Sequence, residues 1–442
     1  MPLNAPAGSL TEIASPDAAR YRPVMAWIIL ALLSIFMLIN FADRTILALA
    51  AQPVMAELHL SAAEFGFISS AFYFLYSTSA VGVGFLATRT VSLRWLLFIV
   101  SLLWATTQLP VFLFAGAGVL LATRIALGAA EGPATALANS TAYTWFPARQ
   151  RGLPTSVLTS GPSLAKLIAA PLLTVLIIAA GWRWAFLALA GASVLWCLVW
   201  FVIGGAGPYA EPRVPVLTDE AAAADRAERR ASFRRVVLSW TFLLLLLAGY
   251  PLYALVSVIF SWLPSYLQAG LNFSPITSGF LFGLPSIIVL VFMLTAGWVT
   301  DRLLAAGVSS RIARGVVPTL SLVLGGLLLA LVPFAGAERY LAYGLLVGGY
   351  SLTVLALPII YAAIGTAAAP GQRTSVLGLF IGLQSTSGII APWATGLLID
   401  AADTPAQGYQ TAFMVLGVLI LVGGAIAAAV VDPGRYAAVE GT

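Results

Sequence analysis

Cysteine, histidine, lysine and charge in general are scarce in this sequence. Its 442 residues include one cysteine, one histidine and one lysine, and only 9% are Asp, Glu, Lys or Arg. A lone Cys197 cannot close an intrachain disulfide, and a single histidine leaves no His/Cys set spaced to hold a metal. Cys197 stands beside Trp196 and Trp200 in an apolar run, a packing position. His59 follows Glu57 in a polar gap between apolar runs, which favours solvation over a proton relay. No nucleophile with its base and no phosphate loop is found either, so enzymatic chemistry is not expected.

What remains is overwhelmingly apolar: 60% hydrophobic residues and a mean hydropathy of +0.98, far outside the range of water-soluble domains. The solvent is therefore expected to be lipid. An apolar helix needs about 20 residues to cross a bilayer, and such runs recur near 23–44, 63–87, 94–114, 118–144, 152–178, 183–204, 237–268, 274–299, 315–335, 340–366, 373–399 and 408–431. The runs are continuous and lack the alternation of a membrane β-barrel. The first 22 residues, with Asp17, Arg20 and Arg22, lack the pattern of a cleaved leader, so the first run is expected to stay as a spanning helix. The fold class is an all-α membrane protein of about twelve transmembrane helices.

The 22 basic residues give the orientation. With loops numbered alternately, one side collects 17 of them, from Arg20 and Arg22 through Arg89, Arg149, Arg235 and Arg302 to Arg435, and the other only Arg183 and Arg339. The positive-inside rule then places both termini and the long central loop in the cytoplasm, in a cell inner (plasma) membrane. Because the cations follow topology, the pI of about 9.4 does not indicate a nucleic-acid partner.

Residues 205–236 interrupt the apolar pattern near the middle and divide the chain. The expected organisation is a tail (1–22), a six-helix half (23–204), a linker (205–236), a second six-helix half (237–431) and a tail (432–442). Corresponding points agree between the halves. Gly84-Phe-Leu-Ala-Thr88-Arg89 matches Gly297-Trp-Val-Thr-Asp301-Arg302, and Arg151 leads to Ala170-Pro171 as Arg373 leads to Ala391-Pro392. A two-fold internal repeat is the mark of many transporter folds.

Several motifs run through this frame: Asn40-Phe-Ala-Asp43-Arg44, Arg124-Ile-Ala-Leu-Gly128-Ala-Ala-Glu131-Gly132-Pro133, Trp145-Phe-Pro147-Ala-Arg149-Gln-Arg151-Gly152, Gly181-Trp-Arg183-Trp-Ala-Phe186 and Trp262-Leu-Pro264-Ser-Tyr266. In them, across roughly residues 25–431, the sequence resembles the major facilitator superfamily, and within it the anion:cation symporters, organic anion/proton carriers. The resemblance implies two pseudo-symmetric six-helix bundles, a proton-coupling role for Glu131, and anion-binding and gating roles for Arg44 and Arg124. It also singles out Tyr76 as a contact. The superfamily's loop motif implies a cytoplasmic gate at Arg89, Asp301 and Arg302, although Thr88 replaces the usual acid before Arg89. In the eleventh span Gln384-Ser385-Thr386-Ser387-Gly388 stands where the family often has Asn.

An ionised group at the bilayer centre costs about 2.5–3.5 kcal/mol on insertion scales. Five such residues, Asp43, Arg44, Arg124, Glu131 and Lys166, fall inside spans, all in the first half. Arg124 and Glu131 are two helical turns apart and share a face, whereas Asp43 and Arg44 point about 100° apart, so one of them is expected to pair with a neighbouring span. Locking of the first, fourth and fifth helices by ion pairs is the alternative to ligand binding. Lys166 lies about 21 Å along its helix if that begins at Gly152. At that depth a second contact to an anionic substrate is favoured over snorkelling. Gln384 and Ser385 could donate hydrogen bonds from the opposite half, or serve as helix glue.

Three cations against two acids leave one net positive charge, and protonating both acids leaves three. A site that grows more positive on taking up protons binds anions better, which links proton to substrate. The expectation is a monomeric carrier importing a small carboxylate by proton symport and alternating access, with Asp43 and Glu131 as proton-coupling residues. Arg44, Arg124, Lys166, Tyr76, Gln384 and Ser385 are expected to bind substrate. No metal or cofactor beyond the proton gradient is expected. An anion exchanger, an efflux antiporter and a non-transporting membrane sensor are the alternatives.

Overall fold

The computed structural model describes residues 23–114, 116–147, 150–210, 233–308, 317–336, 338–367 and 373–430. No strand occurs among them. Helix α1 is Pro23–Leu49, α2 Ala62–Thr90, α3 Leu93–Leu113, α5 Gly152–Ala180 and α6 Trp182–Ile203; α4 runs in two pieces, Ala117–Glu131 and Ala134–Trp145. The second half continues with α7 Trp240–Gly270, α8 Pro275–Ala305, α9 Val317–Ala330, α10 Arg339–Ala367, α11 (Arg373–Ser385 and Ser387–Asp400) and α12 Pro405–Val430. Among the described residues nine stretches are long and apolar enough to cross a membrane. The passages at α2, α4 and α9 complete the alternation.

Local sequence explains the irregular helices. Pro133 has no N–H to continue the ladder, and α4 breaks at Gly132-Pro133. In α5 the Ala170 N–H reaches back five residues to the Ala165 carbonyl, giving a π-turn over Ala165–Ala169 that carries Lys166. Pro171, next in line, has no N–H to restore the α-register.

Burial is arranged as lipid requires. Large apolar side chains such as Val202 (79% exposed) and Trp240 (76%) face outward, where hydrocarbon and not water would receive them. Asn40, Asp43, Arg124, Glu131 and Gln384 are buried inside the bundle.

Small residues let the backbones approach. A Cβ on Gly128 would fall within 2.8 Å of the Phe72 carbonyl carbon, and one on Gly132 within 2.4 Å of the Tyr76 carbonyl oxygen, so α4 lies directly on α2. Contacts of this kind join the halves along two seams. Gly66 of α2 meets Pro392 of α11, and Gly279 and Gly283 of α8 meet Thr174 and Lys166 of α5.

The α2–α11 seam is closed at the end opposite the arginine-rich loops. Asp400 at the foot of α11 accepts hydrogen bonds from the Ala62 and Ala63 N–H groups (3.0 and 2.8 Å), capping α2 from the other half. The Trp393 N–H donates to Ser70 Oγ (3.1 Å), and a Cβ on Gly396 would strike Ala62. Toward the basic end, a Cβ on Gly82 of α2 or Gly378 of α11 would meet nothing within 4 Å.

Candidate functional site

The close approach of α4 to α2 sets Glu131 beside α1. Arg44 Nε donates to Glu131 Oε2 at 2.5 Å, with the carboxylate wholly buried. The guanidinium carbon of Arg44 also lies 4.7–5.1 Å from the ring centres of Phe41, Phe72 and Tyr76, so three aromatic faces share its charge. Glu131 Oε1 and Arg44 Nη2 make no hydrogen bond, and the Asn40 amide stands by the same carboxylate.

Asp43, one residue away, faces elsewhere. Gln108 of α3 donates from Nε2 to Asp43 Oδ1 (2.8 Å), and its Oε1 accepts from Arg124 Nη2 (3.4 Å). Arg124 Nη1 donates to the Asp43 main-chain carbonyl (3.0 Å), and its guanidinium lies 5.5 Å from the Phe186 ring centre. Arg124 thus has no carboxylate within 4 Å among the described residues, and its Nε and Asp43 Oδ2 are unbonded. A cation that meets only an amide, a carbonyl and a ring keeps capacity for an anion. Arg44 and Arg124 line one void of about 30 Å³ with Ser69, Tyr73, Phe260 and Ser261, which is room for water.

Lys166 is buried and does not line that void. Its Nζ donates to Tyr350 Oη (3.3 Å) and lies 4.6, 5.2 and 5.9 Å from the ring centres of Phe260, Tyr350 and Phe282, all on the second half. It does not snorkel.

The second half contributes neutral groups. Gln384 Nε2 donates to the Gly249 carbonyl (2.6 Å), and its Oε1 accepts from Tyr361 Oη (3.1 Å). Ser385 Oγ lies 2.5 Å from Ser77 Oγ of α2, bridging the halves. Tyr76 stacks on Phe72 and reaches the α7 side through Tyr73, whose ring lies 6.3 Å from that of Tyr253. Of the expected cytoplasmic gate, Arg302 is exposed near the end of α8, and the side chains of Arg89 and Asp301 lie outside the described residues.

The structure therefore brings Asp43, Arg44, Arg124 and Glu131 into one cluster and sets Lys166 behind Phe260. Sequence reasoning missed Gln108, Phe260 and Tyr350. A lone glutamine in an apolar span was a usable signal for Gln108; for the two aromatics there was none.

Among the described residues, twelve helical passages in two halves, with a charged centre, define the class: a multi-pass membrane transporter and not an enzyme. The chain belongs to the Major Facilitator Superfamily, whose family model matches residues 33–356. It is 27% identical over 386 residues to the hexuronate transporter of Bacillus subtilis (strain 168), covering 86% of this chain and 88% of that one. It is also 27% identical over 423 residues to a probable sulfoacetate transporter of Cupriavidus necator, covering 92% and 93%. In fold it is similar to a bacterial homolog of the human lysosomal transporter Spinster, solved inward-facing and unoccupied. That likeness has a TM-score of 0.76 at 16% identity and covers 92% of this chain and 97% of the other.

Proposed function

We propose that this protein imports a small organic anion, a carboxylate of the sugar-acid kind, by proton symport. One observation carries the reading: Arg44, which is paired with Glu131, borders the same void as Arg124. While Glu131 is ionised it occupies Arg44. Protonating it removes that competitor and leaves a guanidinium, whose planar fork suits a carboxylate, facing the void beside Arg124. Proton and anion are then bound together because each favours the other. The relatives named for hexuronate and sulfoacetate support an acidic substrate.

Asp43 is a second proton-accepting group in this account. Tyr76, Gln384 and Ser385 complete the substrate walls, with Lys166 behind Phe260 as a further cation for the substrate. The halves rock about this centre: the seam sealed by Asp400 opens in one phase, and the end bearing Arg89, Asp301 and Arg302 closes. The basic-residue count supports cytoplasmic termini in a plasma membrane, and a monomer contains the whole pathway.

The test is uptake of radiolabelled galactonate or glucuronate into proteoliposomes under an imposed proton gradient, with Glu131→Gln beside the parent. Gradient-driven accumulation is expected to vanish in the variant while exchange persists. Undiminished accumulation removes Glu131 from coupling.

A further inference from the structure

Phe260 belongs to two environments at once. Its side chain walls the void shared by Arg44 and Arg124, and the face of its ring covers Lys166 Nζ at 4.6 Å. Lys166 itself lies outside that void. Of the three N–H donors on its ammonium, one is hydrogen-bonded, to Tyr350, and no carboxylate lies within 4 Å among the described residues. The buried cation is therefore stabilised by ring faces, a partial compensation that a carboxylate would outcompete. One aromatic ring separates two cation sites.

The backbone on both sides of that ring is interrupted. Pro264 has no N–H to give to the Phe260 carbonyl four residues earlier, so α7 is missing a hydrogen bond at Phe260. Just beyond, α7 ends in a π-turn at Tyr266–Gly270, and Lys166 rides on the π-turn of α5. Such irregularities are where helices bend. Phe260 also touches the first half, its ring 6.3 Å from that of Phe41, which in turn lies under Arg44. A displacement of Phe260 would merge the arginine void with the lysine site.

We propose that Phe260 is a specificity-determining partition. While it is seated the site offers one carboxylate position, at Arg44 and Arg124. When it is displaced, a second position opens at Lys166, for a substrate bearing an anionic group at each end. The inference rests on the anion reading above and deepens it by assigning the two ends of a diacid to different cations.

The experiment is calorimetric binding of galactarate and galactonate to the purified full chain. These six-carbon acids differ in having a second carboxylate or a hydroxymethyl group at the far end. Removing the ring in Phe260→Ala is expected to raise the diacid-to-monoacid affinity ratio about tenfold, and Phe260→Leu about threefold, because Lys166 is then uncovered. Adding Lys166→Met to either variant returns the ratio to that of the parent, a coupling that a packing defect would not produce. A ratio that stays at the parent value in both Phe260 variants, or a rise that survives loss of Lys166, overturns the partition and leaves the anion reading intact. Failure of the parent to bind either acid at any pH overturns both.

Discussion

The two halves share a backbone plan but not a chemistry. In the first, Asp43, Arg44, Arg124, Glu131 and Lys166 are charged groups inside spanning helices, whereas among the described residues of the second each Asp, Glu and Arg lies near a helix end or in a loop. The second half meets Lys166 with the rings of Phe260, Phe282 and Tyr350, and carries a neutral Tyr361–Gln384 pair. Duplication thus fixes where helices run and leaves each copy free to specialise. Charge gathered on one half can be neutralised internally or by a ligand, while the neutral half can move past it without breaking buried ion pairs, an expensive step in low dielectric.

The comparison can be broken most severely at Arg124. Removing one member of a buried, hydrogen-bonded charge group costs about 2–5 kcal/mol, so Arg124→Ala is expected to weaken organic-anion binding by two orders of magnitude or more in calorimetry. Arg124→Lys should recover only part, since it keeps the charge but loses the fork. Next in size is a charge placed in the neutral half. Gln384→Glu should weaken anion affinity roughly tenfold through repulsion across the site, against a much smaller loss for Gln384→Ala. Equal losses would mean the second half's neutrality is incidental.

Smaller effects sharpen the contrast between the closed seam and the basic end. Asp400→Ala removes a cap worth about 0.5–2 kcal/mol. Distances between spin labels on the adjacent ends of α2 and α11 should then broaden toward an open population. The smallest effect is expected at Glu57, which accepts from Arg183 (2.5 Å) and Trp182 (2.8 Å) at the same end. Those bonds, Arg183's foremost, hold the Glu57 carboxyl below its ordinary value. Its contribution is therefore complete above about pH 4.3 and is lost as pH falls through the lowered value. Because the pair is exposed, Arg183→Gln should change stability by less than about 1 kcal/mol, and the difference in thermal midpoint should shrink on acidification.

Most of the fold was legible because lipid imposes a length and a composition on every span, and those are linear properties of sequence. The interrupted passages were less legible. The break at Gly132-Pro133 and the π-turn at Lys166 arise from single prolines acting on a hydrogen-bond ladder, inside runs that look continuous by hydropathy. At the site, the sequence marked the charges individually, since each is costly in hydrocarbon, but not their partners. Arg44 and Glu131 are 87 residues apart, and Lys166 and Tyr350 are 184 apart. The expectation that Asp43 and Arg44 diverge matches the structure, in which one meets Gln108 and the other Glu131. That Lys166 would be covered by Phe260 depends on packing between the halves, which no local pattern encodes.

The central claim is that the Glu131 carboxylate and the substrate anion compete for Arg44, so that a proton on Glu131 favours the anion, and the pH dependence of substrate affinity tests it most directly. Binding of galactonate or glucuronate to the purified parent should tighten as pH is lowered, whereas Glu131→Gln should bind tightly with the smaller pH dependence that Asp43 alone supplies. The same pH slope in both proteins would contradict the account.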